Sequence, residues 1–277
     1  MKRFLLLVLT VALLVLCGCG SEKTENRWVL QKEGVYTLSD GETVDLWRKE
    51  TVFKSGTPMD CGADFYRLSG DGTLLLWVND PVGPENVYVA GVDSLDDLPD
   101  VAQEKVCSFY DNQGQLYDPL GYLDDAYDVY LILKHSGEDY GGAHISQEVV
   151  PTAYNERLIW FMTVLTLPTG NGTVTETRLT AVFDRETGEN IPVEDLFVVS
   201  GEELADYFIG IYDNYDEIKD EMQAAFRPEY IQFSTGGWEV MFPKGTLPSQ
   251  QTATGMGGEI DQIREILKDW AVPEGEE

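Results

Sequence analysis

The chain has 277 residues, of which 49 are acidic and 19 are basic, so its formal net charge at pH 7 is −30. A field of this sign repels nucleic acid, which excludes nucleic-acid binding as a function. Hydrophobic residues make up 43% of the chain, and this content predicts a folded protein with a buried core and excludes general disorder.

The first nineteen residues have the pattern of a secretory signal. Lys2 and Arg3 precede an apolar run over residues 4–16, which ends at Leu16-Cys17-Gly18-Cys19. A positive start, a short apolar core and a small residue before the cut define such signals. A membrane-spanning helix is the alternative, but a run of 13 residues is shorter than the roughly 20 needed to cross a bilayer. We therefore predict a signal peptide over residues 1–18.

The last four residues of this segment resemble a bacterial lipobox, in which the cysteine after the small residue carries lipid. This resemblance makes Cys19 the predicted lipidation site, with palmitate-type acyl chains that hold the protein on the cell membrane. Two or more chains give a stable anchor, because each buried methylene contributes about 0.8 kcal/mol. The rest of the chain is then extracytoplasmic. Its net charge changes from −30 to −32, because the basic residues Lys2 and Arg3 leave with the signal.

Residues 19–26 are predicted to form a short tether, because no large apolar side chain follows Cys19 in this range.

Of the four cysteines, Cys17 leaves with the signal and Cys19 takes the lipid, so Cys61 and Cys107 are left. Export permits a disulfide between them. Two free, buried thiols that pack as small apolar residues are the alternative.

Residues 27–118 are predicted to form a β-rich N-terminal domain. Short apolar runs alternate with turn signals, and the runs lie at residues 28–30, 35–38, 44–47, 65–68, 74–78 and 87–92. Ser69-Gly70-Asp71-Gly72 between two of these runs indicates a hairpin. One helix is predicted after Pro99, because Val101, Val106 and Phe109 recur at helical spacing, and Gly114 is expected to end it.

Residues 119–277 are predicted to form a second domain, which begins after a boundary at Asp118-Pro119. Residues 120–133 fit a helix or a strand, and their periodicity does not decide between the two. The following runs predict an antiparallel meander at 145–153, 158–167 and 174–183. Helices at 201–212 and 218–226, a hairpin of 230–233 with 238–242, and an amphipathic helix at 260–270 complete the predicted order. Strands followed by helices predict an α+β fold with antiparallel sheets and a few packed helices.

A distinctive stretch joins the third strand of the meander to the next helix. It reads Leu179-Thr-Ala-Val-Phe-Asp184-Arg-Glu-Thr187-Gly188-Glu-Asn-Ile191-Pro-Val193-Glu-Asp195-Leu196-Phe197. Gly188 allows a positive φ in the turn, and Asp184 and Thr187 are predicted to cap it. Leu196 and Phe197 then anchor the chain in the core. We therefore predict a structural role for these five residues.

This stretch is similar to the hallmark of the C-terminal domain of RsiV-type anti-sigma factors, which sense lysozyme. The same domain occurs in exported cell-wall proteins beside a PdaC-type domain. In that family a strand ends in Asp, turns through Thr-Gly and continues through a hydrophobic-acidic-Leu-Phe stretch. The later hairpin about Gly236-Gly237 fits the family's order of elements, so the resemblance covers residues 127–270. It implies an extracytoplasmic domain of a kind that binds lysozyme in one branch of the family; residues 27–115 carry no such resemblance.

One family motif lies at a different place in this chain. The family often carries Gly-Gly-Ala-His just before the Asp-x-x-Thr-Gly turn, whereas here Gly141-Gly142-Ala143-His144 lies well upstream and Pro168-Thr-Gly-Asn-Gly-Thr173 takes the expected position. The sequence leaves open whether the two motifs correspond. An anti-sigma factor also needs a cytoplasmic segment, which a cleaved lipoprotein signal does not leave. Direct control of a sigma factor is therefore not expected.

Candidate metal and catalytic residues are few. His135 and His144 are the only histidines, and their spacing matches no metal motif, so two exposed histidines are the simpler interpretation. The acids Asp124, Asp125 and Asp128 lack the residue order of a calcium loop. The sequence contains no nucleophile elbow, zinc-protease motif or phosphate loop. We predict no catalytic residue, no metal and no cofactor.

Three functions are consistent with these features. The first is a surface-anchored binding or sensing module for a cationic protein, lysozyme-like by the resemblance, or for a cell-wall fragment such as a piece of peptidoglycan. Such a module would show saturable binding that weakens with salt. The second is a cell-wall hydrolase, which needs only two carboxylates at the right separation. The third is a structural envelope protein. Anchor, charge and resemblance agree with the first, so we predict a non-enzymatic binding module.

Overall fold

Eight strands form the main sheet, and their order in the sheet is their order in the chain. The computed structural model describes residues 27–52, 62–170 and 172–274. The strands are β1 (Arg27–Thr37), β2 (Thr43–Val52), β3 (Ala63–Leu68), β4 (Leu74–Asn79), β5 (Ala143–Tyr154), β6 (Leu158–Pro168), β7 (Val174–Asp184) and β8 (Asn190–Ile191). Neighbours are antiparallel except β4 and β5, which are parallel. The α+β class and the predicted meander of β5, β6 and β7 are confirmed.

Two helices cover one face of this sheet. Helix α1 (Asp100–Gln113) follows Pro99 and ends at Gly114, as predicted. Helix α2 (Leu123–Ser136) ends at Gly137, whose left-handed conformation closes the last turn, so the segment that fitted a helix or a strand is a helix. Helix α1 packs on β5, β6 and β7, and α2 packs on β3, β4 and the start of β5.

A smaller sheet packs on the opposite face. It has three antiparallel strands in the order β11 (Thr254–Glu259), β10 (Gly237–Phe242) and β9 (Ile231–Ser234). Helices α3 (Gly201–Gly210) and α4 (Lys219–Ala225) lie beside it. Both helices and the β9–β10 hairpin agree with the predicted order, with small differences at their ends.

Side chains along each strand point alternately to the two faces of the main sheet, so the core is divided between these faces. In β6, Ile159 and Phe161 join the cluster under α1, whereas Leu158 and Trp160 join the cluster under the small sheet. All four side chains are fully buried. Strand β6 is therefore apolar on both faces along this stretch, which explains its near-continuous hydrophobic run.

The predicted helix over residues 260–270 is wrong. This segment contains two short 3-10 helices, Ile260–Gln262 and Asp269–Ala271, joined by turns. Val198 donates its N–H to the Ile266 carbonyl at 2.8 Å, and Lys268 donates its N–H to the Leu196 carbonyl at 2.9 Å. These long-range bonds hold the backbone beside residues 196–198, and they replace the local bonds that a helix would have formed.

The apolar run at 87–92 also differs from a strand. It follows the 3-10 helix Pro84–Asn86 and continues as turns and irregular backbone. Tyr88 and Val89 are exposed at 64% and 39% of their full surface. The run therefore contributes little to the core. A strand of this composition would have buried its apolar side chains there.

The main sheet runs across the predicted boundary at residue 118. Strand β4, from the first predicted domain, pairs with β5 from the second at Leu76–Ala143, Trp77–His144 and Val78–Ile145. Helix α1 comes from the first part of the chain and packs on strands of the second, while α2 comes from the second and packs on strands of the first. Each part therefore supplies the helix that covers the other part's strands.

Two tyrosine hydroxyls contact the outer strand of the small sheet. Tyr212 donates its hydroxyl hydrogen to the Gly257 carbonyl at 2.6 Å, and Tyr215 donates to the Gly255 carbonyl at 2.8 Å. Both tyrosines follow α3 in the chain. They tie the connection between α3 and α4 to β11.

Some predicted features lie outside the described residues. These are the signal peptide of residues 1–18, the lipidation site Cys19, the tether to residue 26, and Cys61 of the possible disulfide. Among the residues that the structure does describe, no helix has the length and apolar character needed to span a membrane.

Candidate functional site

A small cleft lies at the start of β5, beside helix α2. Its volume is about 90 Å³. Its walls are formed by the first half of α2, the segment from Tyr140 to His144, and the connection between β6 and β7. The lining residues are Tyr122, Asp125, Ala126, Val129, Tyr140, Gly142, Ala143, His144, Pro168, Thr169, Gly172, Thr173 and Val174. Three residues of the Gly-Gly-Ala-His motif thus lie at this cleft together with both ends of the Pro168–Thr173 stretch.

Tyr140 fastens the glycine segment to the sheet. Its hydroxyl donates to the Leu75 carbonyl at 2.7 Å and accepts from the Ala143 N–H at 3.1 Å. Gly142, with φ +86°, follows and lies against the side chain of Leu74. Burial of the ring raises the pKa of Tyr140 to about 12, so the hydroxyl keeps its proton at neutral pH. The wall formed by residues 140–143 is therefore held by β4.

His144 stacks on Trp77 at the point where β4 and β5 pair. The ring centroids are 3.7 Å apart and the ring planes differ by 17°. The Nε2 atom of His144 lies 3.5 Å from the side-chain nitrogen of Asn79. Partial burial lowers the pKa of His144 below its ordinary value of 6.5, and the charge of Glu148 offsets only part of this. The imidazole is therefore neutral at pH 7.

Acidic residues follow the exposed side of helix α2 next to the cleft. Asp125 lines the cleft and is exposed. Asp128 follows one turn later and is also exposed. Asp124 accepts a 2.9 Å hydrogen bond from the Ser39 N–H, so it also ties α2 to the β1–β2 turn. The cleft thus combines largely apolar walls with one carboxylate at its opening.

The turn motif lies away from this cleft, between β7 and β8. One Asp184 carboxylate oxygen accepts from the N–H groups of Glu186 and Thr187 and from the Thr187 hydroxyl, at 3.1, 2.9 and 3.0 Å. Gly188 has φ +67° and lies against the backbone of Ala102 in α1. The bonds of Asp184 and Thr187 are of the kind that cap a tight turn.

Leu196 and Phe197 follow this turn and lie in the core. Leu196 ends the 3-10 helix Val193–Leu196, and both side chains are buried. The Phe197 ring meets Phe208 of α3 at 5.7 Å with an interplanar angle of 90°. Phe197 thereby joins the segment after the turn to the helix that covers the small sheet.

The remaining sequence candidates are dispersed. Cys107 is partly buried on α1, where burial and the nearby charges of Glu85 and Asp111 raise the pKa of its thiol. His135 is exposed in the last turn of α2. No group of three or more His, Cys, Asp or Glu side chains within residues 27–52, 62–170 and 172–274 is arranged to hold a metal ion.

Sequence reasoning missed the contact between His144 and Trp77. Trp77 lies in a predicted strand, and the sequence offers His144 as a metal ligand, an exposed residue or the last residue of the Gly-Gly-Ala-His motif, none of which implies this contact. The two meet because β4 and β5 are parallel neighbours joined by a long connection that holds α1 and α2. The alternation of apolar residues in each strand shows which side chains share a face, but it does not show which strands are neighbours.

Comparison with known proteins finds matches among solved structures and none among sequences. No protein-family model matches the sequence, and no curated protein matches it. A crystal structure of a DUF3298 family protein from Pseudomonas aeruginosa PAO1 is similar over 90% of this chain and 97% of its own, at 12% identity and a TM-score of 0.36. A DUF3298 family member from Bacteroides fragilis NCTC 9343 is similar over 88% and 96%, at 11% identity and a TM-score of 0.41. The function proposed below therefore takes no support from these structural neighbours.

Proposed function

We propose that this protein is a lipid-anchored, extracytoplasmic binding module that captures a cationic protein of the lysozyme type. The proposed anchor is Cys19. The observation that carries the proposal is the carboxylate of Asp125 at the opening of a small, largely apolar cleft. The proposed partner inserts one lysine or arginine side chain into this cleft.

The chemistry of the cleft suits such a side chain. Lysine and arginine have an apolar stem and a charged end, and they bury the stem while the end stays near water or an anion. Ala126, Val129 and Ala143 offer apolar contacts for the stem, and Asp125 offers an anion for the end.

The overall charge supports the same class of partner. A net charge of −30 attracts a basic protein and raises its rate of encounter, and salt weakens this attraction. Such a field favours any cation, so it explains attraction and does not explain selectivity. Selectivity in this proposal comes from the cleft.

The resemblance to RsiV-type domains points in the same direction. Gly142, Ala143 and His144, which resemble the family's Gly-Gly-Ala-His motif, line the cleft. A lysozyme-binding function for the family makes a basic lysozyme the first partner to test. A cell-wall fragment is the alternative ligand for the same proposed module.

The test is a titration of residues 20–277 with a basic lysozyme at physiological salt. Asp125→Asn removes the carboxylate at the cleft, and we expect it to weaken binding about two- to fivefold, which is the range for one exposed ion pair. Asp111→Asn is the matched control, because Asp111 is exposed on α1 and the change in net charge is the same. An unrelated protein of equal basicity serves as the control partner.

The outcomes separate a site from general attraction. Selective binding of lysozyme that Asp125→Asn weakens and Asp111→Asn leaves unchanged would support the proposal. Equal, weak binding of both basic proteins, or equal effects of the two substitutions, would show attraction by charge alone. That result would contradict the cleft proposal and direct the next titration to soluble peptidoglycan fragments.

A further inference from the structure

A row of aromatic side chains crosses the open part of the main sheet. Trp47 in β2 lies directly opposite Phe65 in β3, Phe65 lies opposite Trp77 in β4, and Trp77 lies opposite His144 in β5. Lys32 in β1 lies opposite Trp47 and extends the row by one strand. Side chains at directly opposite positions point to the same face of a sheet, so all five side chains share one face.

This face is the one opposite to helix α2. The neighbouring residues Tyr66, Leu76 and Ile145 point the other way and are buried in the cluster that includes Leu123 and Tyr130 of α2. Trp47, Phe65, Trp77 and His144 are each partly exposed. The small sheet packs farther along the same face, on β5, β6 and β7.

The row has the dimensions of an extended ligand. Neighbouring strands lie about 4.8 Å apart, so the row from β2 to β5 is about 14 Å long. At its β5 end the stacked pair of Trp77 and His144 keeps two rings nearly parallel at 3.7 Å. The four side chains therefore form a row on neighbouring strands and not on a loop, and we call this row the platform.

Polar groups of both signs border the platform. Lys32 forms a 2.7 Å ion pair with Asp45, and the guanidinium of Arg67 lies 5.9 Å from the centre of the Phe65 ring. The Asn79 side chain lies beside His144 at the other end. These groups include both hydrogen-bond donors and acceptors, in a protein whose overall charge is −30.

We propose that this platform, formed by Trp47, Phe65, Trp77 and His144, binds a neutral oligosaccharide in an extended conformation. The flat, C–H-bearing faces of pyranose rings pack on aromatic rings, and their hydroxyl and acetamido groups require donors and acceptors at the edges. A nucleic acid offers stacking bases, but the negative field of the protein repels it.

The test is a titration of the full-length protein in detergent micelles with triacetylchitotriose, a neutral β-linked trisaccharide. Binding is followed by tryptophan fluorescence and by calorimetry. Trp47→Leu and Phe65→Leu keep an apolar side chain but remove the aromatic face, and each is expected to weaken binding about tenfold. Tyr88→Leu is the matched control, because Tyr88 is 64% exposed elsewhere on the surface. Circular dichroism of each variant confirms that it is folded.

The expected result is saturable binding that added salt leaves unchanged, with loss in Trp47→Leu and Phe65→Leu and not in Tyr88→Leu. Absence of binding, or binding that none of the substitutions alters, would overturn the proposal. Self-association of the protein that Trp47→Leu abolishes would also overturn it, because the platform would then be an interface between two copies. The substitutions leave Asp125 in place, so failure here and failure of the lysozyme proposal are separate results.

Discussion

His144 shows how one side chain takes its properties from two strands. Its backbone belongs to β5, but its ring lies on Trp77 and beside Asn79 of β4. Removing the ring from water disfavours the charged imidazolium, and this is the main reason for its lowered pKa. An isolated histidine would instead titrate near 6.5.

We predict that this histidine makes the stability of the protein depend on pH. Its pKa is lower in the folded protein than in the unfolded chain, so the unfolded chain binds the extra proton first as the pH falls. The free energy of unfolding should therefore decrease from pH 6.5 downwards until the folded-state pKa is passed. Urea unfolding of the wild type and of His144→Phe, which keeps a ring on Trp77, checks this.

The control for this prediction is His135→Gln, which removes the exposed histidine of α2. His135→Gln should keep the decrease below pH 6.5, and His144→Phe should lose it. Parallel pH profiles of the wild type and His144→Phe would contradict the prediction. The His135→Gln variant has a single histidine, so its imidazole signal in an NMR titration can be assigned directly to His144.

At the level of elements, the β7–β8 turn is fixed by contact with α1. A Cβ atom added at Gly188 would lie 2.5 Å from the Ala102 carbonyl oxygen and 2.6 Å from its Cα atom. Gly188 also has a positive φ, which a side chain disfavours. The position therefore needs glycine for two reasons.

We predict that Gly188→Ala lowers the free energy of unfolding by at least about 2 kcal/mol, because backbone strain and a clash add. Gly236→Ala separates the cost of backbone strain from the cost of the clash. Gly236 also has a positive φ, at +88°, but no atom lies within 4 Å of its added Cβ. It should cost about 1 kcal/mol, from the backbone alone. Equal losses in chemical denaturation of the two variants would contradict a role for the contact with α1.

Elements with strong local signals could be predicted from the sequence, and those fixed by distant contacts could not. Helix α1 has Pro99 at its start and Gly114 at its end, so its limits follow from local chemistry. The segment at 260–270 has helical spacing of apolar residues, yet backbone bonds to Leu196 and Val198 hold it in another conformation. Asn155 strengthens this conformation by donating to the carbonyls of Trp270 and Val272.

At the level of the whole molecule, each predicted domain supplies the helix that covers the strands of the other. This arrangement predicts that the two unfold together as one unit. Helix α1 covers strands that come after it in the chain, and α2 covers strands that come before it. Neither predicted domain therefore keeps its core when the other unfolds. We predict a single cooperative transition in urea.

Hydrogen exchange at increasing urea concentration, read by mass spectrometry, measures this directly. Peptides from β3–β4 and from β6–β7 should lose protection at the same midpoint. Two separate midpoints would contradict one unit and would support the division at residue 118 that the sequence suggests.

The parallel pairing of β4 with β5 is the feature that the sequence could not reveal, since no local pattern states which distant strands are neighbours.

The two tyrosine hydroxyls on β11 have a consequence for how the molecules behave at high concentration. An outer strand with free carbonyl groups is a template on which a strand of another molecule can add, and repeated addition leads to aggregates. Here the carbonyls of Gly255 and Gly257 already accept hydrogen bonds from Tyr215 and Tyr212. An incoming strand would have to break both bonds first. The tyrosines thus act as a barrier to intermolecular sheet growth at a strand whose glycines would otherwise leave its backbone open.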